Sequence, residues 1–452
     1  MIETIYTLLA GFIAAAYVVF GTRALSSPTW YYLLGTALFL FPGAIANRVY
    51  LYEGSDRAKI LALFLVCLSI VCFRLGEQWV QRRDVARYGG PVSCARFPIA
   101  LIAVVFAAGV VGRVFFEPRS IFAYQMQRGF GLSSLGANYA ALLAYLVTVL
   151  ASLGSVLWKG LRPRGVFAKA LTIAIVGFGL ITFSRMYLFY ILGVPLVCWF
   201  RMDKNRRLHR WNGRLGLLVV GMVVLGLAVG IAGVVKGLSG ELWWHFYEGR
   251  ELNQESVLEE TGHYLETAGV AGSYEVCLFI LDSYPSRFDY QIGLSAVVAI
   301  TNLLPRSSFP WKPRAPSILM TDAMLGYKAH EATGMSLATS VIGELWMNGG
   351  WLAVGVGSFA FGLACRKLLA WASRMRDVNV RDALSAFALL IAAFLPRGDI
   401  NTAFVVSCAL WALAYSIGRI GIGFGDAGRV RTMHGVGRAS WGATAPALAR
   451  RK

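Results

Sequence analysis

Glu344 and Asn348 stand four residues apart in the stretch SLATSVIGELWMNGGW (residues 336–351), and the apolar, Gly-rich run LAVGVGSFAFGLA follows at once. On a helix that spacing puts the acid and the amide on one face. A carboxyl desolvated at the mouth of an apolar span becomes a better proton acceptor where a cation keeps it ionised. Upstream, His330 lies in GYKAHEATGMS beside Glu331. An imidazole takes protons near neutral pH without tuning, which places His330 ahead of Glu344 as a general base. Arg185 in TFSRMYLFYI, and Arg397 with Asp399 in FLPRGDINTAF, lie in tight hinges between apolar runs. A guanidinium there can grip a phosphate or pyrophosphate bidentately. Each residue also has a plainer reading. An arginine at a helix end can snorkel, and Asp399 can pair with Arg397. Glu344 can cap its span or bond loop backbone, with Asn348 holding that loop in place.

These residues must be positioned by a very apolar chain. It has 452 residues, 57% of them hydrophobic and 15% charged, with a mean hydropathy of +0.59. A soluble domain carries roughly 25% charged residues. Runs of about 20 residues with few charges recur along the chain, which implies a polytopic membrane protein. The runs are continuously apolar rather than alternating, so the spans are helices and the fold class is all-α. Residues 1–24 have no early Lys or Arg and read as a retained first span, not a cleaved leader.

The apolar runs fall at 5–21, 30–46, 58–73, 97–116, 134–158, 170–184, 186–200, 215–235, 346–365, 383–396 and 402–420, eleven spans. Residues 74–96, 159–169, 201–214, 366–382 and the tail 419–452 hold 27 of the 43 basic residues, and with eleven spans they share one side. The positive-inside rule makes that side the cytoplasm. Residues 236–345 then form one large extracytoplasmic loop with 13 of the 24 acids. Its ELWWHFYEGRELNQESVLEETGHYLE stretch reads as amphipathic helices along the interface. QIGLSAVVAITNLLP (291–305) is too short to span and reads as re-entrant or interfacial. The chain divides into membrane helices 1–235, the loop region 236–345, membrane helices 346–421 and a basic tail 422–452.

Other chemistries lack their residues. The net charge of +19 is explained by topology and does not imply nucleic acid. Of the seven cysteines, Cys67, Cys72, Cys198 and Cys408 lie in apolar runs, so no disulfide framework is suggested. No metal-ligand spacing occurs, and no cofactor is implied. GVGSFAFG (355–362) is small-residue helix packing rather than a nucleotide loop.

LLPRSSFPWKPRAP (303–316), followed some thirty residues on by TGMSLATSVIGELWMNGGWLAVGVGSFAFG, resembles the Wzy-type O-antigen polymerases, which join oligosaccharide repeat units. Lys312 and Pro313 match a Pro-x-Lys-Pro-like stretch in that family's large periplasmic loop. Gly343, Glu344, Asn348 and Gly349 match its Gly-Glu-aromatic-Asn-Gly entry to the next span, with Leu345 intervening before Trp346. FSRMYLF matches a Ser-Arg at a span end. The resemblance implies a multi-pass protein of the bacterial inner membrane with its active site on the periplasmic side. Its substrate would be undecaprenyl-pyrophosphate-linked oligosaccharide, its surroundings the lipid bilayer, and its partner a chain-length regulator protein. Under it, His330, Glu344 and Asp399 are the candidate acid–base groups. Arg185, Arg397 and Lys312 are the candidate pyrophosphate ligands, and Asn348 and Trp311 shape the acceptor side. Two alternatives use the same architecture: an O-antigen ligase-type transferase, and a lipid-linked oligosaccharide flippase or transporter. The charge pattern is tested by reporter fusions: one at Glu259 should report an extracytoplasmic site, and those at Lys204 and Arg438 cytoplasmic ones.

Overall fold

The computed structural model describes residues 2–24, 27–46, 51–84, 193–194, 197, 271–301, 311–326, 337–374, 378–398 and 400. Their helices are α1 (Ile2–Ala24), α2 (Pro28–Phe39), α3 (Phe41–Ala46), α4 (Asp56–Asp84), α5 (Ala271–Ser283), α6 (Leu294–Thr301), α7 (Pro316–Leu325), α8 (Val341–Ala372) and α9 (Val378–Phe394). Among the described residues there is no strand. Among the described residues, two helices are long and apolar enough to cross a membrane, within Asp56–Val80 and Val341–Ala372. The runs expected at 97–116, 134–158, 170–184, 215–235 and 402–420, and the amphipathic stretch at 241–266, lie outside the described residues.

The expected bounds shift where local chemistry demands it. The run 30–46 is not one helix. Pro42 has no N–H to donate, and its ring crowds the carbonyl four residues back, so a helix cannot run through it undisturbed. The chain therefore ends α2 at Phe39, with the Leu40 N–H donating to Thr36 O at 3.0 Å, and restarts as α3 at Phe41. α4 begins at Asp56 and continues through Asp84, eleven residues past the expected end at 73, so part of the basic segment 74–96 is helix. α8 begins at Val341, five residues before the expected start, and ends at Ala372.

α4 and α8 form the spine. Ser69 meets Ser358 and Phe73 meets Gly362, so the two helices run parallel. The inward face of α4 is Ala58, Ala62, Leu65, Ser69, Phe73 and Val80, one side of a helix. Its outward face is as apolar: Ile60, Phe64, Val71, Leu75 and Trp79 are exposed, as are Trp351, Leu352 and Val356 on α8. A helix that is apolar all round suits a large core or a lipid environment, not water. Hydroxyls join three helices inside: Tyr32 Oη to Ser69 Oγ at 2.5 Å, and Ser69 Oγ to Ser358 Oγ at 2.8 Å.

α5 is the unexpected element. It lies within the segment read as an external loop, yet Ser273–Leu281 are all buried. It packs against α3, α4 and α8 beside the N-terminal ends of the latter two. Its two acids face the chain that enters α4. Glu275 Oε2 accepts from Leu51 N at 2.6 Å, and Asp282 Oδ2 accepts from Ser55 N at 2.9 Å and from the Tyr52 hydroxyl at 3.1 Å. Burial, and then the Asp282 carboxylate, push the Tyr52 phenol above its ordinary pKa, so it remains a donor.

Backbones touch across the spine because glycines allow it. A Cβ at Gly362 would collide with the Phe73 carbonyl oxygen, and one at Gly76 with that of Phe359. Small residues let membrane helices approach this closely. Gly362→Ala should therefore separate α4 from α8, cost at least about 1–3 kcal/mol, and lower the thermal unfolding midpoint of the purified protein.

Candidate functional site

The candidate residues gather where α8 starts. Ser340 caps it, with its Oγ accepting from Gly343 N at 3.1 Å. Its φ of +54° with ψ of 154° is a conformation that non-glycine residues rarely adopt. Such a conformation costs on the order of 1–3 kcal/mol and persists only where its surroundings impose it. Those surroundings are α5: a Cβ on Gly343 would sit 3.0 Å from Ile280 Cδ1. Trp346 is fixed too, its indole N–H donating to Tyr284 O at 3.2 Å and its ring meeting Tyr290 edge-on at 6.2 Å.

Glu344 sits in this first turn with 0% exposure. Its Oε2 accepts from Ile400 N at 2.7 Å. The expected mouth residue is thus inside the protein, and part of its carboxylate binds the end of the hinge that follows α9. That hinge is tight. Arg397 N and Gly398 N both donate to Phe394 O, at 3.0 and 2.9 Å. A Cβ at Gly398 would meet the Phe394 ring at 2.8 Å, so a larger residue there would have to displace that ring. The Arg397 guanidinium lies over the rings of Phe39 and Phe394, at 5.5 and 5.9 Å from their centroids.

Asn348 is on the Glu344 face, as its spacing predicts. Its Nδ2 donates to Glu344 O and to Ser295 Oγ, each at 2.6 Å, and its Oδ1 accepts from Ser295 N at 3.2 Å. Ser295 N is in the first turn of α6, where backbone donors have no helical acceptor. Immediately afterwards α8 breaks. Gly350 has φ +63° and ψ −151°, a region that only glycine occupies readily, and a Cβ there would approach Tyr290 Oη to 3.0 Å. The Met347 carbonyl accepts from Gln291 N at 2.8 Å. The Asn-Gly-Gly sequence is thus a helix break clipped to the chain at 291–295.

Trp311 and Lys312 are neighbours with opposite fates. Trp311 is 65% exposed, whereas Lys312 is 6% exposed. Arg314 pairs with Asp322 at 3.0 Å beside them. Arg185, His330 and Asp399 lie outside the described residues. The structure therefore joins Glu344, Asn348 and the hinge of Arg397. Chemically, this is a rigid apolar platform whose buried acid and half-buried amide hold backbone, with an arginine at the adjoining turn.

Sequence reasoning missed two polar clusters. Glu275 and Asp282 are seven residues apart, two turns of α5 on one face, a spacing visible in YEVCLFILD. Glu77 has 0% exposure, and accepts from Ser27 Oγ at 2.9 Å, Thr29 N at 3.3 Å and Arg74 Nη1 at 3.0 Å. Its signal is an acid just past an apolar run, three residues after Arg74, in the basic segment 74–96. Among the described residues no group of three His, Cys, Asp or Glu could hold a metal ion, and Cys67, Cys72, Cys277 and Cys365 are free thiols.

Against known proteins, the chain matches no family model, no curated sequence and no solved structure. The Asn348 clip is testable by itself. Asn348→Ala leaves the Ser295 amide without its acceptor. It should cost about 1–3 kcal/mol, read as a lower unfolding midpoint together with faster hydrogen exchange at 291–297.

Proposed function

We propose that this protein is a membrane glycosyltransferase of the Wzy type. It joins undecaprenyl-pyrophosphate-linked oligosaccharide repeat units on the outer face of the bacterial inner membrane, making O-antigen or a related surface polysaccharide. One observation carries the reading. The Gly343–Gly349 motif, on which the family resemblance rests, is tied through Glu344 to the hinge that bears Arg397. Two features of the sequence that had no reason to meet are one structural unit. The apolar outward faces of α4 and α8 support a lipid setting, which a lipid-linked donor requires.

In the proposed reaction an acceptor sugar hydroxyl attacks the anomeric carbon of the donor repeat unit. The glycosidic bond forms as the bond from carbon to pyrophosphate oxygen breaks. The lipid pyrophosphate leaves with that electron pair, and a base takes the hydroxyl proton. Arg397, with Arg185 and Lys312, neutralises the leaving pyrophosphate. His330 is the base, and Trp311 offers an exposed ring on which a sugar can stack.

The glycan pattern of cells lacking the protein decides among the alternatives. Loss of a polymerase leaves a single capped repeat unit. Loss of a ligase leaves long lipid-linked chains, and loss of a flippase leaves neither outside. In complemented cells, Arg397→Ala should slow chain extension by roughly 10²–10³, and Arg397→Lys should rescue poorly because the fork geometry is lost. Full-length ladders from both variants would remove Arg397 from the chemistry.

A further inference from the structure

The position of Glu344 suits support better than proton transfer. A general base must come within about 2.6–3.2 Å of the proton it abstracts. Glu344 has no exposed surface, and its Oε2 is already at hydrogen-bonding distance from a backbone amide. Everything on its own side is fixed. The Ser340 cap, the close approach of Gly343 to Ile280 and the Trp346 bond to Tyr284 O lock the first turn of α8 onto α5. Everything on the other side is a short turn. Arg397 and Gly398 share one acceptor, Phe394 O, and Ile400 follows two residues later.

We propose that Glu344 is a positioning residue: by accepting the Ile400 N–H it anchors the 395–400 hinge to the α5–α8 platform and so sets where Arg397 is presented. The inference rests on the polymerase reading for the task of Arg397, but not for the anchoring itself. A charge-assisted bond to backbone is short and directional. It fixes one end of the hinge, while stacking on Phe39 and Phe394 fixes the guanidinium. The acid is then required for its acceptor oxygen and not for its proton.

Two substitutions separate these roles. Glu344→Gln keeps an acceptor oxygen in place and abolishes any base. Glu344→Leu removes both. The full-length protein in lipid nanodiscs is followed by amide hydrogen exchange at Ile400, and membranes supplied with lipid-linked repeat units are followed by chain extension. Under the proposal, Glu344→Gln keeps Ile400 protected and extends chains within about tenfold of the wild type, since a neutral bond replaces a charge-assisted one. Glu344→Leu exposes Ile400 to exchange and slows extension by about 10²–10³, the loss expected for misplacing one leaving-group contact. Adding Arg397→Ala to Glu344→Leu lowers extension little further, because both changes remove the same contact.

The proposal is overturned if Glu344→Gln halts extension as fully as Glu344→Leu while Ile400 stays protected, for then the ionisable group itself matters. It is equally overturned if Glu344→Leu leaves Ile400 exchange unchanged. Should wild-type membranes extend no chains while Ile400 exchange still depends on residue 344, the polymerase reading fails and the anchor stands.

Discussion

Four acids among the described residues cap the backbone of other segments. Glu77 accepts from Thr29 N, Glu275 from Leu51 N, Asp282 from Ser55 N and Glu344 from Ile400 N. In every case a helix lends its carboxylate to an amide at a chain entry or turn on a different segment. The constraint behind this is simple. A backbone N–H buried away from water costs free energy comparable to a lost hydrogen bond, and a buried carboxylate costs more unless it is bonded. Bringing the two together satisfies the amide and one carboxylate oxygen, and fixes the relative position of two segments. Packing among apolar side chains alone would tolerate sliding, but these bonds do not.

The pattern explains why α5 holds a central place although it is only 13 residues long. Its two acids secure the entry to α4, and its apolar residues support the first turn of α8. α8 in turn carries Glu344 to the 395–400 hinge and Asn348 to the start of α6. The Gly349–Gly350 break separates the part of α8 that supports this polar end from the part that packs along α4. Only glycine permits the backbone conformation at position 350 in contact with Tyr290. Rigidity at the polar end and close packing along the spine are thus assigned to different halves of one helix.

Much of this was legible in the residues. The apolar runs at 58–73 and 346–365 lie within α4 and α8, because an unbroken apolar stretch has few other ways to satisfy its backbone. The four-residue spacing of Glu344 and Asn348 put them on one face, whereas the break at Leu40 within the run 30–46 was not expected. Boundaries were less legible. α4 runs on past Phe73 because Arg74, Glu77 and the residues after them are acceptable in a helix; charge alone does not end one. α5 was hidden because charge asymmetry assigns a segment to a side and says nothing of whether it folds back into the bundle.

By itself the sequence determined the helical class, since length and apolar continuity set what a backbone can do without water. It also determined which polar residues were out of place, since Glu344, Asn348 and Arg397 interrupt that continuity. Tertiary structure decided what those residues hold. Ile400 is 56 positions from Glu344, and Ser295 is 53 from Asn348. No local period links such pairs. A carboxylate signals in sequence only that it must find a donor. Which amide it finds depends on how α5, α8 and the hinge after α9 come together.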